Sequence, residues 1–99
     1  EITVHLRHGD RQLYGPAGVS LDASGNYLIA ETNGNTVKRC PPSDQPCIVV
    51  AGNGHANFSL NQPRVVVLDD NGDYLISEHG GHRVQRCPAA VPNGNCETV

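Results

Sequence analysis

Methionine and tryptophan are absent from this chain of 99 residues, phenylalanine occurs once and tyrosine three times. Tyr14, Phe58 and one of the two tyrosines Tyr27 and Tyr74 are the available stacking platforms, and the seven Lys and Arg residues are scattered. That is neither the aromatic ladder nor the basic stripe that a nucleic acid requires. A net charge of −3 and a pI of about 5.9 supply no field to attract phosphate, so no nucleic-acid partner is expected. No apolar run is long enough to span a bilayer and no signal peptide opens the chain, so direct membrane insertion is not expected. The start at Glu1 implies processing or truncation. No window sustains a helical period either. What is present, 37% hydrophobic residues and 11 glycines, suits an ordinary globular domain.

Compared with itself at an offset of 47 positions, the chain repeats. Pro16, Leu21, Asp22, Gly25, Tyr27, Leu28 and Ile29 recur as Pro63, Leu68, Asp69, Gly72, Tyr74, Leu75 and Ile76. Glu31, Val37, Arg39, Cys40 and Pro41 recur as Glu78, Val84, Arg86, Cys87 and Pro88. A period in the forties fits either a four-stranded propeller blade or a helical armadillo-type unit. The apolar runs decide between them. Val19 to Leu21 and Tyr27 to Ala30, like Val65 to Leu68 and Tyr74 to Ile76, are short and β-branched, and each pair is split by a polar cluster with hairpin chemistry. Further short strands are expected at Thr36 to Cys40, Cys47 to Ala51 and Arg83 to Cys87, giving four per repeat.

The residues Gly18-Val19-Ser20-Leu21-Asp22, Gly25-Asn26-Tyr27-Leu28-Ile29-Ala30-Glu31 and Gly81-His82-Arg83-Val84-Gln85 resemble the NHL repeat. The family carries Asp where this chain has Glu31 and Glu78, and its Asn-His pair stands here as Gly34-Asn35 and Gly81-His82. The resemblance implies an all-β chain of two four-stranded antiparallel propeller blades within a larger or oligomeric propeller. NHL propellers include RNA-binding, partner-binding and ubiquitin-ligase modules and an amidating lyase, so the fold does not select the activity. The expected organisation is an end strand and connecting loop over 1–13, blade 1 over 14–51, an inter-blade loop over 52–60 and blade 2 over 61–99.

Ile2-Thr3-Val4 aligns with Val49-Val50-Ala51, and Glu97-Thr98-Val99 falls at the same place in the next copy, so both ends read as fourth strands. Two blades do not close a ring, and their outer faces would meet water. Three arrangements relieve this: a longer array, a homotrimer with six blades, or packing against a different subunit.

Four cysteines allow three pairings, and the repeat selects the local one: Cys40 with Cys47, and Cys87 with Cys96. Each bridge ties the third and fourth strands across a short loop, worth about 2 to 3 kcal/mol on the chain-entropy model. Zinc pairs usually sit two to four residues apart, and these intervals are longer and unequal, which favours disulfides. Disulfides point to an oxidising compartment, either secreted or an organelle lumen such as that of a thylakoid. Asn57-Phe58-Ser59 is a glycosylation triplet that fits the same setting.

Histidines supply the one constellation to test for metal. His8 and His55 occupy equivalent connections between blades and His82 lies between second and third strands, loop classes that emerge on one propeller face, with His5 and Glu31 or Glu78 nearby. Zinc in the lyase members of the family makes this a metal-site candidate by resemblance, while exposed loop histidines are the plainer reading and no cofactor is expected. Asp69-Asp70-Asn71-Gly72-Asp73 has the acids of a calcium loop but lacks its glycine and closing acid, and reads as a hairpin turn. Gly52-Asn53-Gly54 is followed by neither a helix nor a P-loop lysine, and reads as a tight turn between blades. Arg39 and Arg86 are expected to pair with acids on adjacent strands.

The function these features favour is a non-catalytic propeller segment, a protein-interaction scaffold or accessory subunit of a luminal or extracellular assembly, partnered by another protein or by further blades. A metal-dependent lyase or hydrolase using the loop histidines, and a carbohydrate-binding trimer, are the alternatives.

Overall fold

The computed structural model describes residues 13, 15–43, 45–52, 60–91 and 94–99. The described residues form two four-stranded antiparallel sheets, each a meander in chain order. The first contains β1 (Pro16–Leu21), β2 (Tyr27–Glu31), β3 (Thr36–Cys40) and β4 (Ile48–Ala51). The second contains β5 (Pro63–Leu68), β6 (Tyr74–Glu78), β7 (Arg83–Cys87) and β8 (Glu97–Thr98). Ile2-Thr3-Val4, Tyr14, Phe58 and the Asn53-Gly54 part of the turn after Gly52 lie outside the described residues.

The first hairpin of each sheet is set by one aspartate. Asp22 Oδ1 accepts hydrogen bonds from Ser24 N at 2.8 Å and Asn26 N at 2.9 Å, and Asp69 Oδ1 accepts from Asn71 N and Asp73 N at the same distances. Gly25 and Gly72 complete the turns at φ of 84° and 83°, where a side chain would be strained. The acidic cluster after Asp69 is therefore a hairpin turn, with Asp69 as its cap.

The first strands begin three and two residues earlier than their apolar runs, at Pro16 and Pro63, and each contains a register shift before Gly18 or Val65. A proline is tolerated there as the first strand residue, and the bulge hides the extension from a count of alternating apolar positions.

The two sheets stack face to face through β5, which packs on β1 and β2. Leu28, Ala30 and Val37 of the first sheet and Val66, Tyr74, Ile76 and Cys87 of the second share one buried cluster with Val50, Ala51 and Leu60. Backbones approach closely at Gly18, where a Cβ would meet the Arg64 carbonyl oxygen. Ser20 Oγ donates to the Val66 carbonyl at 2.7 Å, adding a polar contact across the same seam. Cys40–Cys47 and Cys87–Cys96 are bonded, with S–S distances of 2.13 and 2.05 Å. Each bridge sits where the outermost strand joins its sheet, compatible with an oxidising compartment.

Candidate functional site

The turns joining β2 to β3 and β6 to β7 form a rim, and the residues there arise from the repeat. Glu31 and Glu78 end β2 and β6 with their side chains buried. Such carboxylates need compensating partners, because burial of an unpaired charge is costly. Glu31 Oε1 accepts from Thr36 Oγ1 at 2.5 Å, and Glu31 Oε2 lies 3.5 Å from Lys38 Nζ. Glu78 Oε1 pairs with Arg83 Nε, and Glu78 Oε2 accepts from Asn61 N at 2.8 Å. The second carboxylate thus anchors the connection that leads into β5.

The same turns tie one blade to the next. Thr32 Oγ1 donates to the Pro63 carbonyl at 2.8 Å, and Asn35 Oδ1 accepts from Gln62 N at 2.9 Å. Asn35 and its counterpart His82 both have positive φ, 57° and 51°, so the turn geometry is shared although the side chains differ. His79 stands where Thr32 does in the first copy. The rings of His79 and His82 are 6.3 Å apart, centroid to centroid, and both residues are exposed.

Of the metal candidates, His82 occupies the expected turn between second and third strands, whereas His8 and His55 lie outside the described residues, as do His5 and the glycosylation candidate Asn57. Among the described residues no three of His, Cys, Asp and Glu gather in a way that could hold a metal ion. Neighbouring His79 was missed as a companion of His82; its signal was a spacing of three residues across a four-residue turn. The interblade roles of Thr32 and Asn35 carry no local signal, because their partners lie 31 and 27 residues away.

At the opposite end of the sheets, Arg86 Nη1 donates to Glu97 Oε1 at 3.0 Å and Arg86 Nε lies 3.2 Å from Asp69 Oδ2. This gives Arg86 the acidic neighbours expected of it. In the first copy Arg39 acts on Asp22 through its charge. Burial raises the pKa of Asp22, but the hydrogen bonds from Asn26 and Ser24 together with Arg39 outweigh it and leave the group below its ordinary value.

Among the described residues, no helix is long and apolar enough to cross a membrane. No protein-family model and no curated protein matches the chain. Its fold is similar to that of a catalytically inactive variant of virginiamycin B lyase from Staphylococcus aureus, solved with quinupristin, at a TM-score of 0.63 and 17% identity. The match covers 84% of this chain and 26% of the lyase chain, so the chain spans about a quarter of that protein. At this identity the likeness concerns the fold alone. The two stacked sheets are β-propeller-like blades.

Proposed function

We propose that this chain is a pair of NHL-like blades from a β-propeller that serves as a non-catalytic interaction scaffold or accessory subunit, in a secreted or luminal assembly such as one in the thylakoid lumen. The observation that carries this reading is the use of the rim carboxylates. Glu78 holds Asn61 N and Arg83, and Glu31 holds Thr36 and Lys38, so both acids rigidify the turns instead of facing a substrate. Disulfides at the outer hairpins brace the same blades and favour the oxidising setting. Exposed turns on a braced sheet are suited to partner recognition.

The test is native mass spectrometry of the particle that contains this polypeptide, isolated from its source. A stoichiometric complex with a distinct protein, dissociated by charge substitutions in the 32–35 and 79–82 turns, is expected. A particle with catalytic turnover and no dependence on those turns overturns the scaffold reading.

A lyase is the second reading, favoured by the structural neighbour and by the exposed His79 and His82 on the rim. Stoichiometric zinc and quinupristin turnover, both lost in His82→Ala and His79→Ala, would establish it; intact fold with neither property removes it.

A further inference from the structure

The internal repeat identifies what should cover the outer face of the second blade. In the seam between the blades, β5, β6 and β7 present Val66, Tyr74, Ile76 and Cys87, with the half-buried Leu68 beside them, to the receiving face of the first sheet. Shifted back by 47 positions these five side chains are Val19, Leu21, Tyr27, Ile29 and Cys40, identical at every position. The strand registers are the same too: Val19 lies opposite Ile29, and Leu21 opposite Tyr27, which faces Cys40. The first blade therefore bears on its other face the side chains with which the second blade docks. Val19 is 41% exposed there and Leu21 53%, whereas Ile29 and Cys40 are already buried within the chain, so the open part of the face is its Val19 and Leu21 side.

The receiving face recurs as well. Leu28 and Val37, buried under the second blade, correspond to Leu75 and Val84, and Gly18 and Ser20 correspond to Val65 and Val67. Val65 pairs across the sheet with Ser77 and then Val84, and Val67 pairs with Leu75, so these residues share one face. Val65, Val67 and Val84 are 51%, 44% and 40% exposed. A contiguous apolar sheet face of this kind marks an interaction surface.

We propose that the outer face of the second blade binds a second copy of this chain, receiving the Val19, Leu21 and Tyr27 face of that copy's first blade head to tail. The choice of occupant rests on complementarity within the chain: it carries both halves of an interface whose assembled form it already displays between its own blades. A head-to-tail contact is heterologous, and it closes into a ring when its rotation repeats. Three copies would give six blades. The new seam differs from the internal one in a defined way. Val67 replaces Ser20, which donates across the internal seam, Val65 replaces Gly18, at which the backbones come closest, and Ser77 replaces Ala30. Association is thus apolar in character, with a negative heat-capacity change and no weakening by salt. The inference concerns the sheet faces and stands independently of the rim reading.

Light scattering and native mass spectrometry of the 10.5 kDa chain over rising concentration test it. Wild type is expected to associate. Val67→Asp blocks the receiving face and Leu21→Asp the docking face, so each variant alone should be monomeric, and an equimolar mixture should form a 1:1 dimer through the intact faces. Circular dichroism and a thiol count check that both variants fold, and Val84→Lys provides a second block of the receiving face. A wild-type monomer at all concentrations, as would follow if blades of another polypeptide fill this face, overturns the proposal. So does association that persists in the single variants, or a mixture that fails to combine.

Discussion

Asp22 and Gly18 show how single residues govern this fold. The Asp22 carboxylate caps its hairpin, and its lowered pKa means that the charged form is favoured by folding. The associated stability is fully present above the ordinary carboxylate value and is lost as pH falls through the depressed folded value. Urea midpoints measured from pH 6 to pH 2 should therefore fall, and Asp22→Asn should flatten that fall. At Gly18 a methyl group would meet backbone of β5, which cannot swing aside. Gly18→Ala is expected to cost about 1–3 kcal/mol, as overpacking does, measured by denaturant titration. Glu78→Ala removes the acceptor of Asn61 N and the partner of Arg83 and should cost about 1–3 kcal/mol in the same assay.

Among elements, the strands and hairpins were the legible part. Short β-branched runs separated by Asp-x-x-Gly turns identify β1, β2, β5 and β6, because local backbone chemistry sets a hairpin. The starts at Pro16 and Pro63 were legible from the prolines, which mark entry into a strand, whereas the residues between each proline and its apolar run were not, since a bulge breaks the alternation that marks a strand. The cysteine pairing was legible because the repeat duplicates it, and each bridge fastens an outer strand, β4 or β8, that has a neighbour on one side within its sheet. Replacing Cys87 and Cys96 together by serine should lower stability by about 2–3 kcal/mol on the chain-entropy model and lower amide protection in β8 before β6, as read by hydrogen exchange. The rim was legible only in part: His82 is placed by its turn, but the duties of Glu31 and Glu78 depend on Lys38, Asn61 and Arg83, which no motif connects to them.

At the scale of the whole molecule, the stacking of blades determines which apolar residues matter. Ile76 is fully buried in the seam, and Ile76→Ala should cost about 2–5 kcal/mol. Val67→Ala, on the open face, should change the stability of the isolated chain by no more than about 0.5 kcal/mol. The contrast disappears if a second copy covers Val67, so the same pair of variants compared at low and high protein concentration reports on assembly. Between the copies, the docking face keeps Val, Leu, Tyr, Ile and Cys unchanged, while the receiving face exchanges Gly18, Ser20 and Ala30 for Val65, Val67 and Ser77. One face is thus a common connector and the other a variable one. In any array built from such units, the order of neighbours is written in the receiving faces: a newly duplicated blade can join anywhere, but the socket it enters determines how closely it sits.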